Sequence, residues 1–234
     1  MKVVDAPGSR DMIEAIAHPI VYKIVTIMLS QIKNQIFFKM VAFFLKDHER
    51  NTTPDFTKNL DAVRRYGQFR PDADGFLVAP PYVSEIVTKL EELYAQTQNK
   101  INFQRGAIVE LLAFHLVKSR CQANECFSNH RFVYEHNSRF TDQIDVAVFS
   151  KSKQRIEAYT CKIKPGSIQS EDCNNLIDLE KEATEQDYDI RTGAISFDNS
   201  QKIEQRLRWF PGTEAIKAYG INNIEELADD PFIS

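Results

Sequence analysis

The segment Arg105-Gly-Ala-Ile-Val-Glu110-Leu-Leu-Ala-Phe-His115-Leu-Val-Lys118 has helical character, and from Ala107 to Val117 only Glu110 and His115 are polar. With 3.6 residues per turn, Glu110 lies beside Ala107, Leu111 and Phe114 whichever face is buried. A carboxylate among apolar groups is costly unless a compensating charge or hydrogen bond reaches it. The fold must therefore bring polar partners to this helix. Two candidates lie downstream: Asp145, in the strand-like Gln143-Ile-Asp-Val-Ala-Val-Phe149, and Lys162, in the strand-like Ile156-Glu-Ala-Tyr-Thr-Cys-Lys-Ile163.

The hydrophobic period changes along the chain. Ile24, Ile27, Met28, Ile32, Ile36, Met40, Phe43 and Phe44 recur at helical spacing. A second helix is predicted over about 54–66, and a third runs from a Ser84 cap to about Asn99. Beyond residue 103 the Glu110 helix is followed by strand patterns at about 131–136, 142–149 and 154–163. The polar Ser150-Lys-Ser-Lys-Gln154 predicts an antiparallel hairpin between the last two. Ser170 is read as the cap of a helix over 171–184, and a strand over 190–197 follows. The expected organisation is a helical region over 1–100, then an α/β unit over 101–234. That unit has a mixed central sheet flanked by helices.

Composition narrows the function classes. Of the 234 residues 43% are hydrophobic and 26% charged, as in an ordinary globular protein, and the net charge of −4 argues against an all-basic polyanion-binding surface. Four cysteines in a chain of this length form no disulfide framework, which points to reduced thiols and a cytoplasmic setting. Lys23, Lys33 and Lys39 interrupt the apolar stretch from Ile20 to Leu45, so no membrane association is expected. No phosphate-cradling glycine loop, nucleophile elbow or dinucleotide fingerprint is present.

Strand alternation sets Asp145 opposite in facing to Ile144 and Val146, and puts Ala158, Thr160 and Lys162 on one face of the following strand. Pairing the two strands brings Asp145 near Thr160 and Lys162. Carboxylates, a backbone carbonyl and waters are what a hard divalent cation takes. A lysine beside such an ion can orient water or neutralise phosphate charge.

These segments resemble the PD-(D/E)xK, restriction-endonuclease-like, nuclease superfamily over about residues 103–198. Arg105-Gly-Ala-Ile-Val-Glu110 is similar to the helix carrying that family's first acid. Asp142-Gln-Ile-Asp145-Val is similar to its metal-binding strand, and Tyr159-Thr160-Cys161-Lys162 to its third motif. The resemblance implies catalytic Glu110, Asp145 and Lys162. It implies Mg²⁺ or Mn²⁺ held by Asp145 and Glu110, with the Cys161 carbonyl and Thr160 assisting. Hydrolysis of DNA phosphodiester bonds is the implied activity, RNA being a further substrate class, and the family's usual company is prokaryotic defence or repair. One departure stands out. The acid expected two residues before the lysine is Thr160, and the nearby Glu157 faces the other side of a regular strand.

Lys164, on the same strand face as Lys162, and the cluster Arg64, Arg65 and Arg70 are candidates for phosphate contact. Cys121, Cys126, His130 and His136 crowd together at a spacing that matches no zinc signature. Two function classes follow: a metal-dependent endonuclease, whose N-terminal helices bind DNA, dimerise the chain or dock a protein partner, and a catalytically inactive nuclease-like binding or regulatory subunit. Retention of Glu110, Asp145 and Lys162 together favours the first; Thr160 favours the second.

Overall fold

A computed structural model describes residues 1–5, 10–66, 80–122, 124–134 and 141–232. Its contacts divide the chain into two units, Asp11–Ile108, and Met1–Arg10 with Val109–Ser234. The division thus falls inside the Glu110 helix and not at residue 100. The first residues belong with the sheet, because Lys2–Asp5 is a strand that the helical reading of the N-terminus did not include. Among the described residues no helix is long and apolar enough to cross a membrane.

The regular elements described in Asp11–Ile108 are all helical. They are α1 (Arg10–Ile16), α2 (Pro19–Ser30), α3 (Gln35–Asp47), α4 (Phe56–Arg64), α5 (Pro81–Tyr94) and the first part of α6 (Gln98–Lys118). The starts of α2 and α3 have a local cause. His18 accepts the Ile20 N–H at 3.3 Å ahead of Pro19, and Asn34 accepts the Phe37 N–H at 3.4 Å. Ser84 does not cap α5. That helix starts at Pro81, and the Ser84 hydroxyl donates back to the Pro81 carbonyl at 2.9 Å. Of the expected stripe Ile24, Ile27, Met28 and Phe44 are buried, Ile32 and Met40 are half-buried, and Ile36 and Phe43 are exposed. The run breaks between α2 and α3, and Phe37, Phe38, Val41 and Leu45 form the inner face of α3 instead. The end of α3 is sealed by Arg105, itself buried, whose guanidinium donates to the carbonyls of Leu45 at 2.7 Å and Lys46 at 3.0 Å.

The second unit is a six-stranded mixed sheet in the order β1 (Lys2–Asp5), β2 (Cys126–Val133), β3 (Ile144–Ser150), β4 (Arg155–Lys162), β5 (Asp189–Ser196) and β6 (Lys217–Tyr219). The first three pairings are antiparallel, and β4–β5 and β5–β6 are parallel. The expected hairpin joins β3 to β4, with Ser150 opposite Arg155 and Gln154 at φ 51° in the turn. The parallel pairs need crossovers. Helices α7 (Ser170–Thr184) and α8 (Ser200–Leu207) supply them. Cys173, Leu176, Leu179 and Ala183 of α7 pack with Ala147, Ile156, Ala158 and Ala194 of the sheet. The cap of α7 is Gln169 and not Ser170. Its side chain takes the Asp172 N–H, and the Asp172 carboxylate takes the Gln169 N–H at 2.8 Å.

Replacing Arg105 by alanine strands the buried Leu45 carbonyl and the half-buried Lys46 carbonyl at the end of α3. Arg105→Ala is expected to cost about 2–4 kcal/mol in urea unfolding, and Arg105→Lys to restore only part, since one ammonium lacks the guanidinium fork. An alanine variant as stable as the parent would show that the contact is incidental.

Candidate active site

Strand β4 sorts its charges by face. It pairs with β5 without interruption from Arg155↔Asp189 to Lys162↔Ser196, so no bulge redirects a side chain. Glu157 therefore points away from Lys162. Its carboxylate receives two guanidinium N–H groups of Arg120, one at 2.8 Å and one at 2.5 Å, and the hydroxyl of Tyr159. Arg120 also donates to the Leu227 carbonyl at 2.8 Å. This buried pair is saturated and leaves Glu157 nothing to offer a site on the other face.

Asp145 stands where the β3–β4 ladder opens. The paired register ends at Val146↔Tyr159. Beyond it the Asp145 carboxylate, and not a ladder carbonyl, accepts the Cys161 N–H at 2.7 Å, and it accepts the Thr160 hydroxyl at 3.3 Å. Alternation in β3 also slips here. Ile144 shares a hydrophobic cluster with Ala147, three residues on, which a regular strand forbids. Facing Asp145 across β2, between Ser128↔Val146 and His130↔Ile144, is Asn129 with φ 56°. The two irregularities turn the Asp145 carboxylate towards β4, where strict alternation alone would send it squarely off one face.

Glu110 is 4% exposed, as its apolar helix requires. Asn129 Nδ2 donates to its Oε2 at 3.4 Å, and the Gln143 amide donates to Asn129 Oδ1. Burial raises the Glu110 carboxyl well above the usual range, and the Asp145 charge raises it further; Asn129 and Lys162 oppose this. Asp145 is likewise pushed up, by burial first, against the pull of Lys162 and the Cys161 N–H. Lys162 feels burial as a lowering, but Asp145 and Asp172 outweigh it and its ammonium is stabilised. Its Nζ lies 2.9 Å from Asp172 Oδ1, so the capping carboxylate of α7 also holds the lysine.

Glu110, Asp145, Thr160 and Lys162, expected to form one site, thus interact in one place. Cys161 joins through its backbone N–H. Its carbonyl leaves the strand on the same side as that N–H, towards Asp145. Its buried thiol is held protonated by burial and by the charges of Asp145 and Glu110. Lys164 is half-buried at the start of the 3-10 turn Pro165–Ser167. Arg64 and Arg65 belong to the helical unit. Arg64 is engaged by Asp61 and by Glu91, the latter at 2.6 Å, while Arg65 is exposed; Arg70 lies outside the described residues. Asn129, Gln143 and Asp172 escaped the sequence reading. The spacing Gln169-x-x-Asp172 signals a capping box, but not that Asp172 also reaches Lys162.

Among the described residues no three His, Cys, Asp or Glu side chains are grouped to hold a metal ion. Cys121 and Cys126 hydrogen-bond each other, His130 bonds the Ser128 carbonyl at 2.6 Å, and His136 lies outside the described residues. The Glu110–Asp145 pair nevertheless suits one hard cation. Two carboxylates raised by burial, with Asp145 adding to the rise at Glu110, gain by sharing positive charge, and a strand carbonyl and waters can complete the oxygen set. Thr160 adds a hydroxyl without charge. Comparison of the sequence with models of protein families and with curated proteins finds no match.

The raised Glu110 value has a consequence for stability. Between the unfolded and folded pKa the native state keeps a proton that the unfolded chain has released, so stability falls as pH rises through that window. With chelator present, Glu110→Gln is expected to melt about 2–6 °C above the parent at pH 8, the gap closing near pH 4. Equal melting curves at every pH would contradict a strained carboxylate at this position.

Proposed function

We propose that the sheet unit is a divalent-metal-dependent nuclease that hydrolyses the DNA backbone, a variant of the PD-(D/E)xK superfamily. One observation carries the reading. Residues far apart in sequence, Glu110, Asp145 and Lys162, feel one another's charge where two strands part, and the family's order of acid, acid and lysine is kept. Asp145 and Glu110 would hold Mg²⁺ or Mn²⁺. The ion would polarise a phosphate oxygen and acidify a bound water.

The chain's own groups have separable roles in this reading. The Cys161 N–H fixes the Asp145 carboxylate, and Gln143 fixes Asn129, which fixes Glu110. Lys162 brings a positive charge to the place where a phosphate would gain negative charge, and Asp172 sets its position. Thr160 leaves the site one carboxylate short of the family pattern, so weak Mg²⁺ binding is expected, with Mn²⁺ supporting more cleavage.

A second reading, a nuclease-like subunit that binds without cutting, is favoured by two features: the neutral Thr160 and the engagement of Lys162 by Asp172. Supercoiled plasmid incubated with Mg²⁺, Mn²⁺ or EDTA separates the two. The nuclease reading predicts metal-dependent nicking that Asp145→Asn abolishes and Lys162→Ala slows by about 10²–10⁴-fold. Equal cutting by parent and both variants would place the activity elsewhere. A parent that never cuts, beside a Thr160→Glu variant that does, would establish the binding subunit instead.

A further inference from the structure

The tryptophan of this chain, Trp209, is 74% exposed, the most exposed large apolar side chain described. It lies in Arg206-Leu-Arg-Trp-Phe210, a basic and aromatic run in a chain of net charge −4. The run is rigid. The Trp209 N–H bonds the Arg206 carbonyl at 3.1 Å and the Phe210 N–H bonds the Leu207 carbonyl at 2.8 Å. The Thr213 hydroxyl bridges the carbonyls of Leu207 at 2.8 Å and Phe210 at 3.0 Å. The Arg206 guanidinium sits over the indole, 5.0 Å from its centroid, and 4.8 Å from that of Phe210, while the indole stays largely exposed. Arg208 is exposed, with no ion-pair partner among the described residues.

This platform is tied to the candidate site. Arg206 donates twice to the Ile168 carbonyl, at 3.0 Å and 2.7 Å. Ile168 closes the turn Pro165–Ser167 that follows Lys162 and Lys164. The Arg206 charge also acts on Cys173, the neighbour of Asp172 in α7. The residue that supports the indole is thus held by the segment leading away from the site lysine.

We propose that Trp209, backed by Arg206 and flanked by Arg208, is a stacking platform for an unpaired base of a nucleic-acid strand bound at the site. The inference rests on the nuclease reading. A base offers a flat π-face to the exposed indole, and its phosphates meet the two arginines. A protein partner would also bury an exposed tryptophan, but the arginines over and next to the indole, one of them tied to the segment that follows Lys162, favour a phosphate-bearing ligand.

Because the chain has a single tryptophan, its fluorescence reports on this side chain alone. The experiment is a titration of the full chain, in EDTA at low salt, with a short single-stranded oligonucleotide, read by indole emission and in parallel by anisotropy of a labelled oligonucleotide. The expected result is a saturable quench that tracks the anisotropy, with Trp209→Ala raising Kd about 5- to 100-fold and Trp209→Phe raising it less. Binding by anisotropy with unchanged indole emission, and with unchanged Kd in Trp209→Ala, would overturn the platform and leave the nuclease reading intact. No binding of single strand or duplex, together with no plasmid cleavage, would overturn both. An emission shift that follows protein concentration without oligonucleotide would assign the indole to a protein contact and overturn the proposal.

Discussion

One ammonium group has to serve more carboxylates than it can satisfy. Lys162 is paired with Asp172 at 2.9 Å, it is the opposing charge that draws Asp145 down, and it is the positive charge that Glu110 feels. Asp172 takes the direct ion pair, and the two acids left with only its longer-range charge, Asp145 and Glu110, are pushed towards protonation by burial. Such a cluster is a poor way to stabilise a fold, because a buried charge seldom recovers its desolvation cost. It is a good way to hold a cation and to handle phosphate, where the missing positive charge comes from outside. The raised carboxyls are a stability cost at a cluster of charges, and the proposed activity is inferred from that cost.

The regularity of β4 is what keeps this cluster distinct. Period-two alternation sends Glu157 to the far face, where Arg120 and Tyr159 saturate it, and leaves Thr160 and Lys162 on the near one. A single bulge would have mixed the two sets. The irregularity sits instead in β3 and β2, at Asp145 and Asn129, and it is there that a carboxylate takes over a backbone N–H. Rigid pairing on one side of β4 and an opened ladder on the other position the site.

The parts of this arrangement that follow local periodicity were legible in the sequence. The apolar neighbours of Glu110, the hairpin after Phe149 and the shared face of Thr160 and Lys162 all follow from residue spacing, and a mixed sheet with flanking helices followed from their order. What spacing cannot carry was missed. Strand β1 is four residues long and gains its identity from pairing with β2, distant in sequence. Asp172 reads as one acid in the polar first turn of α7, and only tertiary packing shows that it reaches Lys162. The slip of alternation at Asp145 has no signature beyond Asn129, a residue tolerant of positive φ. The helix caps moved by a few positions because Ser84 and Ser170 are good capping residues overruled by Pro81 and by the Gln169–Asp172 box.

The central claim is that Glu110 and Asp145 act together as a cation site. Calorimetric titration of the full chain with Mn²⁺ tests it without reference to any substrate. The account predicts one divalent site in the parent, weakened strongly in Asp145→Asn and also in Glu110→Gln, and tightened in Thr160→Glu. Mn²⁺ binding that is unchanged in both Asp145→Asn and Glu110→Gln would contradict it.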